Sequence, residues 1–323
     1  MAIPLIALLG RVPIYAQSTK GISRTKAEST ADSGPRTALV IGNAGYATAP
    51  LRNPVNDARG IAATLRELGF SVELLENASQ RDMKKAINRF GEQLRKGGVG
   101  LFYFSGHGIQ IKGLNYLIPV GAVIEGEADV EIESVHAGRV LAKMENARNS
   151  MNIVILDACR NNPYTRSFRS ASRGLATLNA PSGTLIAYAT APGSVASDGT
   201  GSYGLYTGEL IRHMKTPGLK LVDVFKKVRV GVKKKSADKQ VPWEQMSLTG
   251  DFYFIPPTET TGDANLEYER QKLDDERKKL DADRQKLTAQ KEAEIEYERQ
   301  ENKRKRLAAE RKEAELRYER QKL

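Results

Sequence analysis

Two short stretches carry residues able to do chemistry together. "YFSGHGIQ" (103–110) sets His107 between two glycines after an apolar run, and "VILDACRNN" (154–162) ends a second apolar run on Cys159, the only cysteine in the chain. A thiol is a poor nucleophile until it loses its proton, and an imidazole can take that proton and later return it to a leaving amine. Gly106 and Gly108 admit close backbone approach, and an amide N–H beside the histidine could face a developing oxyanion. Asp157 is a further unusual group. A carboxylate at the tip of an apolar strand, two residues from Cys159 and so on its face of the sheet, is costly without a cation or donors. A substrate guanidinium would satisfy it through paired charge-assisted hydrogen bonds. Each residue also has a plainer use, Cys159 as a small buried hydrophobe and His107 as a hydrogen-bonded loop residue. Their placement relative to each other has to decide.

That placement follows from the elements around them. "TALVIGN" (37–43), "SVELLEN" (71–77), "VGLFYFSG" (99–106), "MNIVILDAC" (151–159) and "GTLIAYAT" (183–190) read as strands. Helical periodicity separates them at 53–69, 80–98, 135–147, 203–214 and 220–235, and a hairpin is expected through "IQIKGLNYLIPV" (109–120). Asn53 with Pro54 marks a helix start, and Gly69 a stop. Nearly continuous apolar strands alternating with helices predict an α/β domain, with a mostly parallel central sheet covered on both faces. Sites in such sheets form at the carboxyl ends of the strands. His107, expected just past the third strand, and Cys159, ending the fourth, would then share one rim. His136 and His213 fall in predicted helices and are expected in the core or at the surface.

The chain has 323 residues and a net charge of +11. From residue 264 on, 34 of 60 residues are charged, 18 basic and 16 acidic, so this tail builds no core and carries only +2 of the net charge. The remaining +9 is scattered, with "FKKVRVGVKKK" (225–235) densest, and no zinc-finger spacing or aromatic-interleaved basic repeat accompanies it. A basic solvated helix face accounts for it, and no nucleic-acid partner is expected. Residues 1–16 end in "IYA" and resemble a signal peptide cleaved after Ala16, which predicts a periplasmic or secreted protein. The alternative is an unstructured leader on a cytoplasmic one. The apolar stretch there is too short to span a bilayer, so no transmembrane segment is expected. Residues 17–35 and 256–263 read as linkers around a domain at 36–255.

In the tail Leu266, Leu273, Leu280 and Leu287 recur every seven residues, and "YERQKL" appears at 268–273 and 318–323. One apolar residue per heptad is too little for a firm two-stranded seam. Two readings stay open for 264–323: a lone charged helix held by many weak pairs, or a weak coiled coil that self-associates or docks a partner.

Beyond these local arguments, the chain resembles the caspase-like cysteine peptidases, in particular the bacterial metacaspase-like (orthocaspase) branch. The resemblance rests on "ALVIGNAGY", "LRNPVNDARGIAATLRELGF", "FYFSGHG", "NYLIPV", "VILDACRNNP", "GTLIAYATAPG" and "VPWEQMSLTGDFYF", and covers roughly residues 36 to 254. It implies a caspase-like fold and a Cys–His dyad, with Cys159 as nucleophile, His107 as general acid–base, and the amides of Gly108 and Cys159 at the oxyanion hole. It also implies a pocket for Arg or Lys before the scissile bond, with Asp57 and Asp157 at the acidic positions. Asp198, in "APGSVASDG", is a weaker third candidate. Asp57 is equally explained as a first-turn helix acid.

The basic segment after the cysteine suggests self-processing at Arg166, Arg169 or Arg173, with a plain exposed loop as the alternative. Calcium, which many metacaspases require, is poorly supported. Leu114 stands where an acid is expected, and only scattered acids remain at 123–133, so no cofactor or metal is expected. The expected function is a cysteine endopeptidase acting on protein or peptide substrates with Arg or Lys before the cut. The alternative is a caspase-fold interaction scaffold with little turnover, assembling through the tail. A nucleotide-binding α/β domain is disfavoured because "GNAGYATAP" (42–50) lacks a phosphate-loop lysine and the dinucleotide glycine spacing.

Overall fold

The computed structural model describes residues 34–159, 174–191, 201–257 and 259–322. The segments 1–33 and 192–200, with the leader and Asp198, and 160–173, with Arg166, Arg169 and Arg173, lie outside the described residues. The first half of the domain runs β1 (Arg36–Gly42), α1 (Pro54–Glu67), β2 (Phe70–Glu76), α2 (Gln80–Leu94), β3 (Val99–Ile111) and β4 (Leu114–Leu117). It continues with α3 (Glu127–Glu133), β5 (Val135–His136), α4 (Gly138–Ala147) and β6 (Met151–Cys159). β7 (Thr184–Tyr188), α5 (Leu205–Met214), α6 (Leu221–Lys235) and β8 (Trp243–Met246) close the domain, and α7 (Glu259–Lys322) follows.

The strands form one 8-stranded sheet in the order β2-β1-β3-β6-β7-β8, with β4 and β5 extending from β3. Every pairing from β2 to β7 is parallel, whereas β8 pairs antiparallel with β7. The parallel strands have both faces covered, so they read in sequence as continuous apolar runs. On one face Val40, Tyr103, Ile155 and Ala187 pack against Ile61 and Leu65 of α1, Leu210 of α5 and Val228 of α6. On the other, Ile41, Phe102, Leu156 and Ile186 meet Met83 and Ile87 of α2 and Val140 of α4.

Local chemistry explains the boundaries. Asn53 occupies the N-cap of α1 and Pro54 its first turn, where the missing N–H costs no bond, while Gly69 (φ +81) turns the chain into β2. Ser79 caps α2 by accepting from the Asp82 N–H. Arg36 closes the domain: its guanidinium donates to the carbonyls of Leu68, Tyr253 and Phe254 and lies over the Phe252 ring.

Three sequence expectations change. His107 does not follow the third strand but lies inside it: β3 is 13 residues long, because the chain stays extended past the sheet rim to pair with β4. The expected hairpin forms with a two-residue turn, Lys112 and Gly113 both having positive φ, which matches the twist of the strands. His136 belongs to the two-residue strand β5 rather than to a helix, with its ring 5.4 Å from that of Tyr116. The tail helix begins at Glu259, five residues before the expected boundary at 264.

Candidate active site

β3 and β6 lie side by side in parallel, and their register sets Tyr103 opposite Ile155, Ser105 opposite Asp157 and His107 opposite Cys159. The two chemistry-bearing residues are therefore direct register partners at the carboxyl end of the sheet. The rim lies where the chain changes direction, since the segment after β1 leads to β2 on one side of β1 while β3 lies on the other.

His107 is 2% exposed and held on several sides. Its ring Nε2 is 2.7 Å from the carbonyl oxygen of Ala49, in the loop after β1. A carbonyl only accepts, so Nε2 carries the proton and Nδ1 is the basic nitrogen of the neutral ring. The His107 backbone N–H donates to the Tyr46 hydroxyl at 2.9 Å, and that hydroxyl donates to the carbonyl of Ile118 at 3.0 Å. The Tyr46 ring stands 4.4 Å from the imidazole, centroid to centroid. Tyr46 occupies the space that a side chain at 106 would need: a Cβ on Gly106 would lie 2.6 Å from the Tyr46 hydroxyl.

Gly108 is tied to its neighbours in the same way. A Cβ there would lie 2.9 Å from Ala158 and 3.0 Å from Leu175. The Ile118 N–H donates to the His107 carbonyl, which makes Gly108 and Leu117 a non-hydrogen-bonded pair. That alternation aims the Gly108 N–H away from β4, toward the side on which β6 runs. The chain after residues 160–173 returns here: Asn115, fully buried, bonds both the N–H and the C=O of Ala176, each at 2.7 Å.

Two carboxylates are buried below this pair. Asp57, in the first turn of α1, is 2% exposed; it accepts from the Gly204 N–H at 2.8 Å and from the Ser105 hydroxyl at 3.4 Å. Asp157 is 8% exposed and accepts on Oδ2 from the Thr207 hydroxyl at 2.7 Å and, at a longer 3.4 Å, from Tyr103. The tyrosine and threonine hydroxyls are 2.6 Å apart. Burial, and then the charges of Asp157 and Asp57, push the Tyr103 phenol well above its ordinary value, so it stays protonated at neutral pH. Asp157 thus meets the donors that its burial requires, and Asp57 does more than complement a helix dipole.

Sequence reasoning did not find Tyr46, Ala49, Ser105, Tyr103, Gly204 or Thr207. Tyr46 stands in the quoted "ALVIGNAGY", but nothing in that string shows it reaching β3. Thr207 carries a weak signal, as a polar side chain on the apolar face of a short helix. The acids at 123–133 serve local structure in part, Asp129 accepting from the N–H groups of Glu125 and Gly126 at the start of α3. Among the described residues no group of three or more His, Cys, Asp or Glu is placed to hold a metal ion, and no helix is long and apolar enough to cross a membrane. His213 lies in the last turn of α5 beside the buried Glu209, far along the helix from Thr207.

A register-paired histidine and cysteine at the carboxyl rim of a mostly parallel sheet, with a hairpin continuing the histidine strand, defines a caspase-like α/β fold. The crystal structure of Caspase-1 from Spodoptera frugiperda superposes with a TM-score of 0.53 at 16% identity, covering 74% of this chain and 97% of that one. Residues 35–253 match the family model described as Caspase domain, and the chain belongs to that family. It is 29% identical over 182 residues to the human mucosa-associated lymphoid tissue lymphoma translocation protein 1, covering 56% of this chain and 21% of the human protein. The mouse homolog matches over the same shares. Rat Caspase-1 is 24% identical over 249 residues, covering 68% of this chain and 60% of its own. The chain thus spans about a fifth of the length of the first two relatives.

Proposed function

We propose that the chain is a cysteine endopeptidase of the metacaspase-like kind that cuts proteins after arginine or lysine, with Cys159 as nucleophile and His107 as general acid–base. The observation that carries this reading is the register pair His107–Cys159 with two buried carboxylates, Asp57 and Asp157, on adjoining positions of the same rim. Membership of the caspase-domain family supports the cysteine-peptidase class. The carboxylates support the choice of a cationic side chain before the cut, since a guanidinium or ammonium entering beside them gains charge-assisted bonds that a carboxylate would lack.

In this mechanism Nδ1 of His107 accepts the thiol proton, and the sulfur attacks the scissile carbonyl carbon. The oxyanion that forms is met by the backbone N–H groups of Gly108 and Cys159. His107 returns its proton to the leaving amine, and water, deprotonated by the same ring, then releases the acyl group. Ala49 holds the tautomer throughout. Self-cleavage after Arg166, Arg169 or Arg173 is part of the same proposal, as is export. No step calls for a metal.

The test is hydrolysis of matched peptides ending in Arg, Lys or Asp by the wild type and Cys159→Ala, with and without calcium. Release from Arg and Lys but not Asp, lost in the variant, is expected; release from none by a folded and processed protein refutes the peptidase. That second outcome would favour an interaction scaffold, for which the relevant observation is α7. It is 64 residues long, about 96 Å at 1.5 Å per residue, with Leu273, Leu280 and Leu287 exposed. Glu276 and Asp283 stand at the neighbouring seam positions, and pairs such as Glu301–Lys305 and Glu313–Arg317 support it from within. We therefore read α7 as a solvated spacer. Leu280→Glu is expected to leave the sedimentation coefficient unchanged, and a decrease would show that copies associate through it.

A further inference from the structure

Besides β3, whose Ser105 and Tyr103 reach Asp57 and Asp157, one further element meets both candidate pocket acids. α5 packs beside α1 on the same face of the sheet, and its first turn reaches both carboxylates. The Gly204 N–H, at its N-cap, donates to Asp57 Oδ1 at 2.8 Å, and Thr207, one turn on, donates to Asp157 Oδ2 at 2.7 Å. Thr207 and Tyr103 are both fully buried. A hydroxyl has a single proton. Because an ionised carboxylate can only accept, the Thr207 proton goes to Asp157 across 2.7 Å, and the Tyr103 proton is directed chiefly to Thr207 across their 2.6 Å contact, its own approach to Asp157 being the longer one at 3.4 Å. The result is a directed relay, Tyr103 to Thr207 to Asp157, that meets the carboxylate on one oxygen and fixes its rotation. Close approach is built in on the other side too, since a Cβ on Gly204 would stand 3.1 Å from Asp57 Oδ2.

We propose that the first turn of α5, backed by Tyr103, orients the acidic pocket, so that Thr207 and Tyr103 are positioning residues for recognition of a guanidinium or ammonium side chain. This rests on the reading of Asp57 and Asp157 as the specificity acids. Its physical content is that a bidentate guanidinium contact depends on the plane of the carboxylate, and that this plane is set by Thr207. Hydrophobic packing around an unoriented acid would leave the charge in place but lose the fork geometry.

The experiment is steady-state kinetics on matched peptides ending in Arg, Lys and citrulline, the neutral isostere of arginine, with wild type, Thr207→Val, Thr207→Ser, Tyr103→Phe and Asp157→Asn. Thr207→Val keeps the shape and removes the donor. It is expected to raise KM for the Arg peptide about ten- to a hundredfold, the effect of losing one hydrogen bond to a charged group, with kcat moved far less. The smaller citrulline signal should change little, and Thr207→Ser should restore the Arg KM. Tyr103→Phe should raise it several-fold. An Arg KM unchanged in Thr207→Val, or an equal loss on Arg and citrulline, overturns the proposal, as does a serine variant as impaired as the valine. If the valine variant does not fold, Tyr103→Phe decides, an unchanged Arg KM there overturning the relay. Failure of the underlying reading is distinguishable: wild type would show no preference for Arg over citrulline, or Asp157→Asn would leave that preference intact.

Discussion

Tyr46→Phe tests how His107 is held, since it removes one oxygen atom and leaves the ring in place. That oxygen accepts the backbone N–H of His107 and donates to the Ile118 carbonyl, so it bridges β3 to the segment following β4. The two losses are unequal. Ile118 O keeps a second donor, Nδ2 of Asn43 at 3.1 Å, so its share is a net hydrogen bond of about 1 kcal/mol. The N–H of His107 lies in a residue that is 2% exposed and gives up the acceptor that meets it, costing about 1–3 kcal/mol. The ring contact at 4.4 Å is retained, so burial adds nothing to the cost. The expected loss is about 2–4 kcal/mol, which in a domain spanning residues 35–253 lowers Tm by roughly 4–16 °C. The measurement is thermal and urea denaturation in a Cys159→Ala background, where self-cleavage cannot intervene. A shift below about 2 °C would refute the bridge, because the smaller of the two losses alone predicts that much.

Other consequences are local. Gly42→Ala places a Cβ 2.3 Å from the Pro54 carbonyl oxygen and 2.6 Å from Ala58 Cβ, so α1 must lift from the sheet, and a loss of about 1–3 kcal/mol or more is expected in the urea midpoint. Gly69→Ala meets nothing within 4 Å but keeps φ +81; it should cost only the left-handed penalty of about 1–2 kcal/mol, and a larger loss than Gly42→Ala would contradict the packing argument. His213 is held below its ordinary pKa, first by burial and then by the positive charge of Arg212, with Glu209 opposing. Its unfolded form therefore binds protons more readily. The stability it contributes is complete above the unfolded pKa of about 6.5 and is lost as the pH falls through the lower folded value. Urea midpoints at pH 5.5 and 7.5 should differ less in His213→Asn than in the wild type, and an unchanged difference would refute the assignment.

The α/β class, the parallel strands and the shared rim of His107 and Cys159 were legible in the sequence because burial on both faces writes itself as continuous apolar runs. The short strands were not. β5 has two residues, and β8, "WEQM" at the sheet edge, has no apolar run for periodicity to find. His107 was expected just past its strand because Gly106 and Gly108 look like loop punctuation. They instead mark close approach to Tyr46 on one side and to Ala158 and Leu175 on the other.

The sequence by itself determined which groups could react and which acids needed partners, since those are properties of residue type and of position along a strand. Only the tertiary structure decided who the partners are. Ala49 for the imidazole, Tyr46 for its backbone, and Gly204 and Thr207 for the carboxylates come from segments between 50 and 147 residues away in the chain. A hydrogen bond needs an atom in place to within a few tenths of an ångström, and that precision is set by the packing of α1 and α5 on the sheet, which no local pattern encodes.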